Sequence, residues 1–388
     1  VERNTPGFTV GPEEHKMGIR GSSTCPLYFE DAKVPVENVL GEIGRGHKIA
    51  FNILNYGRLK LGAGVLGGMK IAMEETLRFA QERKQFNTPI SRFPLTREKF
   101  ARMASLSYAL ESMTYRTSGL VDAVLAGADK TADDYSARLI TAIEEYAIES
   151  SIMKVYGSEA LGYVVDDAVQ IHGGAGYIEE YPVECAYRDA RINRIFEGTN
   201  EINRMLIAGM LLKRTMKGTL PLFEVAQAVD EDLSAGRLPK ARVEDALAAE
   251  EQAAENLKRL AIYTLKVAAE TFGPELEQRQ EVLATVADIV MDAYALDSMV
   301  TRTRQAAVDG KLDAARVAMT RQYATDANAH SYNRARRALC ATVKGDALQE
   351  HLSKVARLEL FTPYDPVELR ETILEAVEKA TGYPLSAV

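Results

Sequence analysis

A chain of 388 residues with 46% hydrophobic content can bury the cores of two or three domains. Its formal net charge of -8 argues against nucleic acid as a main partner, but a local basic patch is still compatible with an acidic small ligand. Cys25, Cys185 and Cys340 are widely separated and the five histidines lack ligand spacing, so neither a disulfide framework nor a structural zinc is expected, and the thiols read as reduced.

No run of about 18 uninterrupted apolar residues is present, so no membrane-spanning helix is expected, and no signal peptide is read. The chain begins at Val1 within strand-like sequence, which reads as a piece of a longer protein. Residues 1–40 read as β: Phe8–Val10 and Pro26–Phe29 are strand-like, punctuated by Gly18, Gly21 and Pro35. So few strands cannot bury both faces of a sheet.

From Gly44 onward the pattern is helical. Ile49, Leu54, Leu61, Val65, Met69, Ile71 and Leu77 keep a roughly helical spacing. Gly57, Gly62, Gly64, Gly67 and Gly68 fall in the same stretch. Each glycine costs about 1 kcal/mol relative to Ala in a helix, so close approach of a backbone or a ligand is expected there. After a break at Gln85–Pro89, helices are predicted over about Leu95–Leu125 and Ala132–Tyr156, with a fourth after Asn200, and the four suit an antiparallel bundle. The acidic stretch from Lys217 to about Glu244 reads as a linker with a short helix. Beyond it, Leu257, Leu260, Leu265, Ala268 and Phe272 form one apolar stripe, and Val282, Val286, Ile289, Ala293, Leu296 and Val300 form another, both read as core. A helix over about Leu312–Cys340 follows, with Arg334, Arg336 and Arg337 read as a solvated face.

The chemistry-bearing stretch is Gln170–Arg204, QIHGGAGYIEEYPVECAYRDARINRIFEGTNEINR. It holds a glycine-dense turn (Gly173, Gly174, Gly176), the arginines Arg188, Arg191 and Arg194, and Glu197 set between Phe196 and Gly198 just before a helix. Taken singly, a Gly-Gly pair is a turn and a lone Glu beside Thr and Asn is a helix-start feature. Taken together, an acid with apolar flanks fits a carboxylate base, because removal from water favours its protonated form.

These pieces resemble the acyl-CoA dehydrogenase family, most closely the very-long-chain branch. The motifs that carry the resemblance are NYGR, ERKQF, QIHGGAGY and IFEGTNEI, supported by KMGIRG and VPVENVLG near the start. The resemblance implies a mainly α fold: residues 1–40 as the end of a middle β-domain, 41–217 as the C-terminal four-helix bundle, and 218–388 as an additional helical domain. It implies oxidation of a fatty acyl-CoA to the trans-2-enoyl-CoA with FAD. Glu197 would be the base that removes the α-proton, with hydrogen bonds to the thioester oxygen strengthening as the enolate develops. Some members carry the base just before the arginine of the NYGR-like segment; here that position is Gly57, which cannot serve.

By the same resemblance, Asn55 and Arg58 would meet the coenzyme A portion, and Phe196 and Gly198 would border the thioester. Arg83 and Phe86 would contact the flavin nucleotide of a neighbouring subunit, and Gln170, Gly173 and Gly174 its diphosphate end. Thr199 and Glu201 would contact FAD as well. Two departures stand out: Asn87 replaces the glycine usual after Arg-x-x-Phe, and Glu201 is acidic where other members have glutamine. The implied partners are an electron-transferring flavoprotein and a second copy of the chain, in a bacterial cytoplasm or, less favoured, a mitochondrial matrix. The acidic 215–251 stretch has the wrong sign for an anionic bilayer, so at most weak membrane association is expected. This chain by itself is expected to bind FAD weakly and to be inactive. An acyl-CoA oxidase is the same-chemistry alternative, and a non-catalytic scaffold that kept the fold is the alternative from another class.

Overall fold

Strands β1 (Phe8–Val10) and β2 (Leu27–Phe29) pair antiparallel with Phe8 opposite Phe29. The structure, a computed structural model, describes residues 1–238, 240–359 and 361–385. In it Leu27, Tyr28 and Phe29 remain about half exposed, because a two-stranded ribbon has no second layer to cover a face. The ribbon segment is anchored at one place: Arg188 donates to the carbonyl of Met17 at 2.9 Å, and Asp189 accepts from the Ile19 N–H at 2.5 Å.

A first bundle is formed by α1 (Gly46–Glu82), α2 (Pro94–Val124), α4 (Ala147–His172) and α6 (Asn200–Met216). A tight hairpin, β3 (Lys84–Gln85) and β4 (Thr88–Pro89), separates α1 from α2. Antiparallel packing holds for α2 against α4 and for α6 against α4: Arg102 reaches Asp167, and Arg204 and Arg214 reach Glu159 and Glu145. The closest pair, however, is parallel. Along α1 and α4, Gly62 meets Met153, Gly68 meets Leu161, and Phe79 stacks on His172 with centroids 4.1 Å apart. A Cβ at Gly157 would lie 2.9 Å from Val65, so this glycine is what lets the two helices approach.

The helix predicted over Ala132–Tyr156 is in fact two. Helix α3 (Tyr135–Glu145) buries only Ala142 and Ile143, which pack against Val121, whereas α4 is buried on nearly every face. The helix is interrupted at Tyr146 (φ -99, ψ 31), which separates the lightly buried α3 from the deeply buried α4. Helix α4 also runs sixteen residues past the predicted end, to His172. A helix apolar all round shows no clear period, and Gly157 reads as a stop when it is a packing site. The arginine-rich segment is partly helical as well: α5 (Pro182–Ala190) was not anticipated.

The remaining helices are α7 (Leu222–Ser234), α8 (Ala248–Phe272), α9 (Gln280–Val308), α10 (Ala314–Thr342), α11 (Gly345–Ala356) and α12 (Pro366–Ala380). The two stripes are core as read, with Phe272 partly buried at the end of α8. Helices α11 and α12 have no counterpart in the sequence reading. Arg334 is not simply a solvated residue: its guanidinium pairs with Asp292 and lies 3.8 Å from Asp288.

One apolar core runs without a break from Val65 and Met69 through Leu257 and Leu296 to Ile373. Polar contacts cross the same seam. The Tyr108 hydroxyl is 2.8 Å from that of Thr303, and Arg116 pairs with Asp297 at 2.6 Å. Glu111, 1% exposed, is held by Lys70, by Arg302 at 2.7 Å and by the Tyr383 hydroxyl at 2.8 Å. Among the described residues no helix is long and apolar enough to cross a membrane.

Gly157→Val should destabilise the chain by about 1–3 kcal/mol through overpacking against Val65 and Leu110. The expected readout is a lower urea midpoint at unchanged m-value; an unchanged midpoint would remove this glycine from the packing argument.

Candidate active site

Helix α6 starts at a capped end. The Thr199 hydroxyl accepts from the Ile202 N–H at 3.3 Å, satisfying one of the free donors of the first turn. To enter that cap from the turn at Arg191–Arg194, the chain takes two left-handed residues in a row, Glu197 (φ 60) and Gly198 (φ 82). Glycine adopts this conformation freely, while a glutamate does so at a cost of about 1–2 kcal/mol.

Two side chains hold the turn. Arg58 Nε donates to the Glu197 carbonyl at 3.0 Å, and Asn203 Nδ2 donates to the carbonyls of Gly198 and Thr199 at 2.8 and 3.0 Å. Arg58 is only 4% exposed and also donates to Asn55 Oδ1 at 3.0 Å. Burial lowers the Arg58 pKa, and the nearby Glu197 carboxylate opposes that shift. Arg58 thus bonds both to Asn55 and to the loop.

The turn aims the Glu197 side chain at α1. A Cβ on Gly57 would lie 2.6 Å from the Glu197 carboxyl carbon, so only glycine admits the carboxylate there. Glu197 Oε2 is buried and has no hydrogen-bond partner. In front of it lies a groove of about 620 Å³ whose lining includes Gly57, Leu61, Gly64, Val65, Leu161 and Phe196. The glycines of α1 therefore divide. Gly57 and Gly62 permit close contacts, Gly64 leaves the groove wall open, and a Cβ on Gly68 would make only an ordinary contact with Leu161 at 3.5 Å. Gly67 faces open space, and nothing in the structure explains it.

Beneath the loop sits a residue that the sequence reading missed. Lys154 is fully buried, and its Nζ donates to Asn200 Oδ1 at 2.7 Å. Burial, and next the Arg58 charge, pull its pKa down to about 8, against the opposing pull of Glu201, Glu159 and Glu197. The available signal was a single lysine inside the apolar run Ile152–Val155. Asn200, Asn203 and Arg204 were missed too, since polar residues in the first turns of a helix look like ordinary caps, and so was Glu159 in the middle of α4. Glu201 lies in the first turn of α6, where its own backbone N–H and the Thr199 hydroxyl lower its pKa. An acid at this position is favoured by the helix dipole, so its charge suits the place.

The residues expected at the nucleotide end gather elsewhere. Arg83 ends α1, and Gln170, Gly173 and Gly174 end α4; the Phe79–His172 stack brings these two ends together. Phe86 (φ 50) and Asn87 (φ 61) form the left-handed pair of the β3–β4 hairpin. Asparagine tolerates that conformation, so the missing glycine does not alter the turn. Phe86 is 89% exposed, and a Cβ at Gly173 or Gly174 would meet nothing within 4 Å. About seven turns of α1, about 39 Å at ~1.5 Å per residue, separate Gly57 from Arg83. Two of the three arginines, by contrast, are structural, while Arg191 is exposed. Arg188 clamps Glu184 and the ribbon, and the Arg194 guanidinium fills the space over Gly162.

Two models for the acyl-CoA dehydrogenase C-terminal domain match residues 44–212 and 256–357. A probable acyl-CoA dehydrogenase of Bacillus subtilis is 44% identical over 99% of this chain and 65% of its own length. The bovine mitochondrial very long-chain specific acyl-CoA dehydrogenase is 44% identical over 54% of this chain and 29% of its own. The crystal structure of an acyl-CoA dehydrogenase from Bacillus anthracis, complexed with FAD, superposes with a TM-score of 0.95 at 42% identity, over 99% of this chain and 66% of that one. The chain belongs to the acyl-CoA dehydrogenase family. It spans about two thirds of the length of the Bacillus relatives.

Two outcomes follow from this geometry. Gly57→Ala should displace the Glu197 carboxylate and lower turnover of the FAD-loaded enzyme by roughly 10²-fold, as small misplacements of reacting groups do; wild-type turnover would show that the carboxylate has room to spare. Lys154 titrates near 8 when folded and near its ordinary 10.5 when unfolded. Between those values the unfolded chain binds more protons, so stability rises with pH and this contribution is lost as pH falls through about 8. The stability of the wild type relative to Lys154→Met should therefore grow between pH 7 and pH 9.5 in urea titrations; a pH-independent difference would count against a depressed Lys154.

Proposed function

We propose that the protein containing this chain is an FAD-dependent acyl-CoA dehydrogenase in which Glu197 removes the α-proton of a fatty acyl-CoA. The observation that carries this reading is the buried, unpartnered Glu197 Oε2 facing a groove across the bare backbone of Gly57. A carboxylate oxygen left without a donor has a free lone pair for a substrate C–H. The left-handed turn fixes its direction, so little reorganisation is needed when the proton moves. Phe196 and the aliphatic side chains of Leu61, Val65 and Leu161 line the groove beside the acid, where an acyl chain would pack. The product is the trans-2-enoyl-CoA, with the proton on Glu197.

These residues also fit a flavin. Along α1 the groove is lined by Leu61, Val65 and glycines beside Lys60, and the open glycine turn at Gly173–Gly174 leaves backbone accessible to a diphosphate. Bound FAD supplies the acceptor for the hydride that leaves the β-carbon. Arg83, Phe86, Gln170, Gly173 and Gly174 lie too far from Glu197 to serve the same cofactor within one chain. This separation supports a homodimer in which they meet the nucleotide of the partner's FAD. Thr199 and Glu201 border the cofactor on the Glu197 side, and the electrons leave to an electron-transferring flavoprotein.

In the FAD-loaded enzyme, Glu197→Gln should slow substrate-driven bleaching of the flavin by about 10²–10⁴-fold while leaving flavin content unchanged. Bleaching at the wild-type rate would sink the assignment. In the wild type, reoxidation should be slow in air and fast with the flavoprotein acceptor; fast reoxidation in air would make the enzyme an oxidase.

A further inference from the structure

The groove and its loop lie in the first bundle, yet the loop is tied to the C-terminal helices by a continuous line of charged hydrogen bonds. Asn200, next to the Thr199 cap, is 3% exposed. Its Oδ1 accepts from Lys154, and its Nδ2 donates to Glu159 Oε1 at 3.0 Å. Arg204, one turn further along α6, grips Glu159 with both terminal nitrogens, at 2.8 and 2.9 Å. Its remaining nitrogen, Nε, donates to Asp288 Oδ1 at 2.7 Å. Asp288 belongs to α9, and its other oxygen lies 3.8 Å from Arg334 on α10.

The geometry points to Asp288 as a positioning residue for the reaction: through Arg204 and Glu159, the C-terminal bundle holds the loop that carries Glu197. This inference rests on the reading of Glu197 as the base. A guanidinium presents its donors in one rigid plane, so fixing Nε on Asp288 fixes the plane in which Glu159 is gripped. Glu159 in turn sets the amide plane of Asn200, whose Oδ1 occupies the buried Lys154. Asn200 opens α6, and the carbonyls of Gly198 and Thr199 are bound by Asn203 one turn later. A rotation of α6 against α4 would therefore shift the left-handed turn. The shared apolar core resists separation of the two bundles, but smooth aliphatic contacts resist sliding and rotation poorly. The directional link at Arg204 supplies what the core does not.

The test uses the FAD-loaded enzyme with two variants that preserve shape or charge, Asp288→Asn and Arg204→Lys. Each should slow substrate-driven flavin bleaching by roughly 10-fold or more, with substrate KM within about twofold, because binding of the acyl-CoA does not need the carboxylate in register. Amide hydrogen exchange over residues 197–203 should speed up by a similar factor while exchange in the middle of α8 stays as in the wild type. The double variant should be no slower than the slower single, since both remove one link. Wild-type bleaching in both variants overturns the proposal. So does an equal rise of exchange in α8, which would mean general loosening. Full activity of Glu197→Gln would defeat the base assignment and leave the exchange result to be judged by itself, so the two failures are distinguishable.

Discussion

The site depends on one awkward piece of backbone, the left-handed pair at Glu197 and Gly198. A glutamate there is disfavoured by about 1–2 kcal/mol, and a hydrogen bond from a charged donor offsets that by a comparable amount, about 1.5–3 kcal/mol. The donor is Arg58, which comes from α1 and is buried under the loop it holds. Its guanidinium holds the turn, and the turn directs the carboxylate toward α1. Asn203 completes the support from within α6 itself.

That arrangement requires α1 to lie where Arg58 can reach, and α1 is placed by α4. The two helices run side by side in the same direction, with glycine or methionine at the closest points. A parallel pair spreads its two ends far apart, with the Glu197 groove near one end and the Arg83–Gly174 cluster at the other.

The C-terminal helices share the core of the first bundle and add buried ion pairs along the seam. Glu111 is the clearest case, because a buried carboxylate is tolerable only when its partners are all in place. Such contacts do more for the choice of one arrangement than for net stability. The Arg204–Asp288 link has the same character, and it lies a few residues from the loop. How much of this was legible in sequence depended on range. The stripes of α8 and α9 were readable because a helix half in water has a period. Helix α4 was misjudged because a helix buried all round has none, and its inward-facing Lys154 stood out only as a charge in an apolar run.

The family resemblance singled out Glu197 and Gly57, while the sequence by itself determined the helical class, the α8 and α9 core faces and a helix after Asn200. These rest on local spacing or on residue types that admit few uses. Only the tertiary structure decided that Gly57 and Glu197 touch, that Arg58 faces inward, that the residues expected at the nucleotide end lie at the opposite end of α1, and that Arg188 and Arg194 are clamps. Each of these depends on which way a side chain turns once helices distant in sequence have packed, and spacing along a chain carries no information about that.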